Sequence, residues 1–291
     1  MTELSKSYDT NGFVLAKNIV SESRRNALLE NIFKLYCKYS GNTKADFPGI
    51  KEPWNDQSFH TKMIDLRKKN SEAFGAIYDS LKTSITLTQL VADDKIVETV
   101  ATFLKTSPGD ISISEPMTRL DPPNDNRNKL DWHQERHFFP QNRNGMHGLV
   151  CWVPLVDVTP ELGQIGVCPK SHQSGLLKLS GKKKKNLSYT TQIPIPEEEV
   201  NKYEIISVSA NAGDALFFNM LLFHKSGDNI SNKLRFTVQG RFHISTAEDF
   251  IPFDYVNYYN PYMKQKLIEK NYDCSDIPDN IRQPPVALQY T

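Results

Sequence analysis

Two histidines and one carboxylate carry the chemistry this chain is equipped for. The stretch Asp131-Trp132-His133-Gln134-Glu135-Arg136-His137 contains an H-x-E pair. In an extended segment the two side chains point to one face, because strand side chains repeat every second residue. Such a pair is a two-toothed metal grip that needs a third ligand from elsewhere. Residues 213–227 offer one, since His224 ends an aromatic-rich, strand-like run. Two imidazoles and a carboxylate on one face leave coordination positions open, a donor set that suits non-haem Fe(II) and O2. His137 is a rival, because a continuously extended chain puts 133, 135 and 137 on the same face. Three ligands from five consecutive residues would have to converge from a span of about 13 Å at roughly 3.3 Å per residue, which favours His224. Either histidine alone is more often an ordinary hydrogen-bonded residue; the pairing with Glu135 is what points to a metal.

Eleven residues beyond His224 lies Arg235. It opens an alternation in which Arg235, Thr237, Gln239 and Arg241 interleave with Phe236, Val238, Gly240 and Phe242. One strand face is polar and the other apolar. In a simple sandwich the polar face meets water; around an interior site it lines a polar cavity, where a planar guanidinium can grip a carboxylate with two parallel hydrogen bonds. Arg241 fits either a substrate contact or an exposed position.

The elements that must position these residues change character along the chain. Gly12–Leu15 reads as a short strand, and Ser21 as the N-cap of a helix whose Leu28, Leu29, Ile32, Phe33 and Tyr36 share one face, ending near Ser40-Gly41. Residues 42–59 are polar and proline-bearing and read as loop. Helices are expected over about 71–81 and 93–106, from the stripes Phe74, Ile77, Tyr78 and Ile96, Val100, Leu104. After Pro108-Gly109-Asp110 the period shortens to that of strands, at 111–114, 148–153, 203–208, 215–218 and 234–242. Short strands divided by turn residues predict a sandwich or jelly roll with the N-terminal helices packed alongside. We expect a single domain made of a helical part over about 1–108, a β core over about 109–246 and a tail over about 247–291. The tail holds one expected helix at 262–270. The Lys182–Lys185 run reads as a solvated loop, since like charges repel.

Composition narrows the partners. Lys and Arg total 35 against 34 Asp and Glu, a net charge of +1, which gives no global field to gather nucleic acid or an anionic membrane surface. A small molecule is the expected partner. Cys37, Cys151, Cys168 and Cys274 lack C-x-x-C spacing, which argues against a zinc site or a secreted disulfide scaffold. No stretch is long and apolar enough to span a bilayer, and the N-terminus has no targeting pattern. The cytoplasm is the expected compartment.

His133, Glu135, His224, Ser226, Asn229 and Arg235, with Gly163 and Pro169-Lys170-Ser171-His172 between them, resemble the phytanoyl-CoA dioxygenase family of Fe(II)- and 2-oxoglutarate-dependent oxygenases. Trp132-His133-Gln134-Glu135 followed by Trp152-Val153-Pro154-Leu155-Val156-Asp157 resembles that family's order as well, and the likeness runs from about Thr10 to Arg241. The resemblance implies a mainly β fold, a double-stranded β-helix of the cupin-like jelly-roll type flanked by helices. It implies Fe(II) on His133, Glu135 and His224, with 2-oxoglutarate and O2 as co-reactants and a small organic substrate hydroxylated as succinate and CO2 leave. It also implies that Arg235 and Ser226 hold the far carboxylate of 2-oxoglutarate, with Gln134 and Trp152 near it. One residue departs from the pattern: the family's usual carboxylate is aspartate, and Glu135 is one methylene longer. Desaturation, ring closure, or a jelly-roll binding protein without turnover would carry the same residues.

Overall fold

The computed structural model describes residues 3–125, 129–139, 141–179, 193–251 and 269. Seven α-helices among them are α1 (Glu3–Asn11), α2 (Glu22–Ser40), α3 (Gln57–Lys69), α4 (Ser71–Lys82), α5 (Ile85–Val91), α6 (Asp94–Leu104) and α7 (Glu197–Val200). The strands are β1 (Phe13–Ala16), β2 (Ile111–Asp121), β3 (Gly148–Pro154), β4 (Ile165–Val167), β5 (Ile206–Val208), β6 (Ala215–Asn219), β7 (His224–Ser226) and β8 (Arg235–Ile244). A five-stranded sheet runs β1-β6-β3-β8-β2 and a three-stranded sheet β5-β4-β7, every pairing antiparallel. Two facing antiparallel sheets with strands that cross between them make the expected jelly roll.

Strand alternation sorts the large sheet into two faces. Its outer face carries Cys151 and Val153 on β3, Phe217 on β6, and Phe236, Val238 and Phe242 on β8, in one core cluster with residues of helices α2 to α6. Its inner face carries Val150 and Trp152 on β3 and Leu216 and Phe218 on β6, packed against Ile165 and Val167 of the small sheet. On β8 the inward set is instead Arg235, Thr237, Arg241 and His243, all buried. The polar face of β8 is therefore an interior wall, the second of the two options its alternation allowed.

The helices hold that wall from behind. Ser21 caps α2 by accepting from the Arg24 N–H, and Gly41 closes it at φ +75°, a conformation that costs glycine no steric penalty. Helix α3 begins at Gln57, inside the end of the stretch 42–59 expected as loop. Asp56 accepts from the Ser58 N–H to start it, and it buries Phe59, His60 and Met63. His60 Nδ1 accepts from the Leu234 N–H at 3.1 Å, which fixes the start of β8. Tyr78 of α4 both donates to the Leu120 carbonyl and accepts from the Leu120 N–H, each at 2.7 Å, fixing the end of β2.

Other departures follow from the same local competition. Helices α1 and α5 and the three-residue strand β4 have too few residues for a clear period. β2 continues past 114 to Asp121 through a bulge between Ser114 and Met117, and the strand expected from 203 begins at Ile206. The run ending at His224 is interrupted: β6 stops at Asn219, and a turn precedes β7. The lysine run at 182–185, Cys274, and the expected helix at 262–270 apart from Glu269, lie outside the described residues.

Two buried histidines give the fold a pH dependence. Burial and the nearby Lys233 charge push His60 down to about 4. Burial and the Arg136 and Arg241 charges push His243 down to about 3. Both stay neutral in the fold while the unfolded chain takes up protons below about 6.5. Their stability contribution is thus complete above that pH and lost as the pH falls toward 4 and below, at about 1.4 kcal/mol per pH unit for each histidine. Urea midpoints should drop steadily from pH 6.5 to 4, and His60→Gln, which keeps an acceptor for Leu234, should flatten the slope by one proton. An unchanged slope would remove His60 from the account.

Candidate metal centre

His133 and His224 are brought together by the backbone. They form an isolated antiparallel bridge, exchanging N–H to carbonyl hydrogen bonds of 3.0 and 3.2 Å. Directly opposed residues of such a bridge project to the same side, and the two imidazole centroids lie 4.1 Å apart. Each Nδ1 is tied to a carbonyl two residues earlier, His133 to Asp131 at 2.7 Å and His224 to Leu222 at 2.9 Å. A carbonyl only accepts, so each Nδ1 carries the proton and each Nε2 presents a lone pair.

Glu135 arrives by the extended step expected, and the chain then turns. Gln134 is extended at φ −108° and ψ 129°, which puts residues 133 and 135 on one face, but Glu135 begins a 3-10 turn through His137. With three residues per turn, His137 rotates away from Glu135 instead of joining it. Among the described residues the grouping suited to a metal is His133, Glu135 and His224, all buried, with donor atoms within 4.8 Å of one another. His137, the rival, is outside it.

Glu135 Oε2 stands 3.3 Å from both His133 Nε2 and His224 Nε2. Donors at right angles around a metal with bonds of about 2.0–2.2 Å are about 3 Å apart, so the spacing fits three neighbouring ligands. His133 Nε2 is buried without a hydrogen-bond partner, an atom left for an ion to satisfy. Burial raises the Glu135 pKa, but the Arg241 charge opposes it and the carboxyl lies well below its usual value. Burial and the neighbouring His133 push His224 down, against the pull of Glu135. The set is thus an ionised carboxylate beside a neutral imidazole, the forms that bind metal.

A second buried cluster of charged residues lies where β8 meets β2. Arg235 donates from Nη2 and Nε to Asp121 Oδ2 at 2.9 and 3.2 Å, and from Nη1 to the carbonyls of Gly163 and Gly227, the latter at 3.2 Å. Four of its five N–H groups are thereby used. The carboxylate that Arg235 grips in this structure is the protein's own. Asp121 also accepts from Arg119 Nη2 at 3.0 Å. Burial raises the Asp121 pKa, yet the Arg119 and Arg235 charges bring it below its usual value. Arg119, Asp121, Ser226, Asn229 and Arg235 line a cavity of about 220 Å³. Sequence reading singled out neither Arg119 nor Asp121. Their signal was the Arg119-x-Asp121 alternation, decipherable only with the register that opposes Asp121 to Arg235 and Arg119 to Thr237.

Gln134 and Trp152 do not line that cavity. The Gln134 amide donates to the Gly175 and Leu221 carbonyls and accepts from the Leu177 N–H, which pins two loops beside His133. Trp152 is buried in the core between the sheets, opposite Gln239 of β8.

Gly163 has φ +93°, and a Cβ there would come within 2.7 Å of Arg235 Nη1 and of the Gly227 carbonyl. Gly163→Ala should therefore displace the Arg235 guanidinium and destabilise the fold by about 1–3 kcal/mol, measured as a fall in urea midpoint. A wild-type midpoint would show that the loop yields freely.

Comparison with known proteins follows this geometry. The profile of the phytanoyl-CoA dioxygenase (PhyH) family matches residues 8–237. No curated protein matches the sequence. Among solved structures, EctD from S. alaskensis with bound Fe is similar at 18% identity and a TM-score of 0.59, over 87% of this chain and 80% of that one. The epimerase SnoN, in complex with Fe3+, alpha ketoglutarate and nogalamycin RO, is similar at 16% identity and a TM-score of 0.58, over 86% and 85%. The alpha ketoglutarate dependent carbocyclase SnoK is similar at 15% identity and a TM-score of 0.52, over 84% of each chain. At these identities the likeness is one of fold.

Proposed function

The chain belongs to the phytanoyl-CoA dioxygenase family, and from that premise we propose that His133, Glu135 and His224 hold its Fe(II) while Arg235 and Ser226 receive the far carboxylate of 2-oxoglutarate. The protein is an Fe(II)- and 2-oxoglutarate-dependent oxygenase of jelly-roll fold. The observation that carries the residue assignment is the bridge that sets two Nε2 lone pairs beside one ionised Glu135 oxygen. With 2-oxoglutarate and O2, such an iron supplies the oxidising power to attack a C–H bond, releasing succinate and CO2.

The chain's own residues orient and shield. Carbonyls of Asp131 and Leu222 fix the tautomers of both imidazoles, and the backbone bridge fixes their separation. Arg119 and Arg235 both reach Asp121, which sets two guanidinium groups on the wall of the cavity. A planar guanidinium is suited to grip a carboxylate, so an incoming carboxylate would meet matching donors here. Its contacts would be the remaining Arg235 N–H and the Ser226 hydroxyl at the cavity wall. Packed Phe138, Phe218 and Leu222 keep water from the back of the histidine pair.

The substrate we propose is a small organic molecule, with hydroxylation as the outcome. The neighbours named above include an epimerase and a carbocyclase, so the jelly roll itself does not choose among outcomes. We further propose that helices and sheets act as one domain, because the outer face of the large sheet and helices α2 to α6 share a single core. Cys37, Cys151 and Cys168 are free thiols, which supports a reducing, cytoplasmic setting, and no helix among the described residues is long and apolar enough to cross a membrane.

The test is 2-oxoglutarate-dependent succinate release by Fe(II)-loaded protein, screened over small-molecule candidates. Succinate formed in step with O2 consumption is expected. A folded, iron-loaded protein that never releases succinate would favour the binding-protein alternative.

A further inference from the structure

On the metal site proposed above, we propose that Arg241 is a positioning residue that confines Glu135 to ligation through a single oxygen, so that the longer carboxylate leaves open the positions that 2-oxoglutarate and O2 require. The two Glu135 oxygens face different partners. Oε2 faces both histidine Nε2 atoms at 3.3 Å, while Oε1 accepts from Arg241 Nε at 2.7 Å. An octahedral metal with three protein ligands has three positions left, two for a chelating 2-oxo acid and one for O2. A carboxylate bound through both oxygens would occupy one of these. Glutamate has one more rotatable bond than aspartate, hence more freedom to swing its second oxygen onto the metal. The Arg241 contact removes that freedom.

Arg241 is itself held from several sides. Nη2 donates to Gln239 Oε1 at 2.8 Å, Nη1 donates to the Glu115 carbonyl at 3.3 Å, and the guanidinium lies 4.3 Å from the Phe139 ring centroid. The Glu115 carbonyl is brought there by the bulge in β2, where Glu115 takes φ +40°, a conformation a non-glycine residue adopts only when its surroundings require it. The departure of this chain at Glu135 and the arginine at 241 thus work as a matched pair. An anchor for an acidic substrate would instead have its guanidinium turned to open space.

The test compares wild type with Arg241→Gln and Arg241→Lys under anaerobic conditions. Fe(II) affinity is titrated first, then 2-oxoglutarate affinity and the charge-transfer absorption at saturation, which reports chelation through keto and carboxylate oxygens. Arg241→Gln should keep or tighten Fe(II) binding, bind 2-oxoglutarate at least about tenfold more weakly, a change of about 1.4 kcal/mol, and lose most of the absorption per bound molecule. Arg241→Lys keeps the buried charge and hence the fold, but lacks the Nε donor, so its absorption should also fall, by less. Full absorption in either variant overturns the proposal, as does loss of Fe(II) and 2-oxoglutarate affinity in parallel, which marks a merely structural ion pair. A wild type that binds no Fe(II) would instead count against the metal site itself.

Discussion

His224→Ala should abolish stoichiometric Fe(II) binding and lower 2-oxoglutarate turnover by at least roughly a thousandfold, or about 4 kcal/mol. In the proposed site the imidazole is one of three protein ligands, and the described neighbourhood holds no other grouped donor to replace it. The fold should survive. The bridge to His133 is made by backbone atoms, and the side chain's own hydrogen bond to the Leu222 carbonyl is one contact among many. His137→Ala is the matched control, since the 3-10 turn carries His137 away from Glu135, and it should bind Fe(II) like wild type. Anaerobic titration of both variants checks this. A dead His137→Ala beside an active His224→Ala would reverse the assignment.

Arg235→Lys should weaken 2-oxoglutarate binding by about ten- to a hundredfold, roughly 1.4–2.8 kcal/mol, while Fe(II) affinity changes little. Lysine keeps the charge that balances Asp121. It cannot span the Asp121 carboxylate and the Gly163 and Gly227 carbonyls at once, because a single ammonium replaces a planar fork. The walls of the cavity should then loosen even though its net charge is unchanged. Isothermal titration of the metal-loaded protein with 2-oxoglutarate measures the effect. Equal affinities would remove Arg235 from the cosubstrate site.

The pairing of His133 with Glu135 was legible in the sequence because its logic is local. The i, i+2 pairing of His133 and Glu135 needs only that Gln134 be extended, and it is. The turn that follows was not legible, since Arg136 and His137 satisfy both a strand and a 3-10 reading. Helix α2 was visible through five apolar residues on one face, and it buries those five. Helix α3 carries a stripe of Phe59, Met63 and Leu66, but it begins inside a polar, proline-bearing stretch and buries a polar residue, His60, to receive the Leu234 N–H. Arg235 could be placed on an inward strand face, but its partner could not. Asp121 lies 114 residues away, and only the β2–β8 register reveals that the arginine already holds a carboxylate. The distinct duties of the two Glu135 oxygens are likewise tertiary facts, set by Arg241 and by the bulge that brings the Glu115 carbonyl to it.

The most direct measurement is a crystal structure of the protein grown without oxygen in the presence of Fe(II) and 2-oxoglutarate. The geometry predicts iron bound by His133 Nε2, His224 Nε2 and Glu135 Oε2, with 2-oxoglutarate chelated to it and its far carboxylate against Arg235 and Ser226. Iron on His137, or 2-oxoglutarate lodged away from the Arg235 cavity, would contradict the assignment.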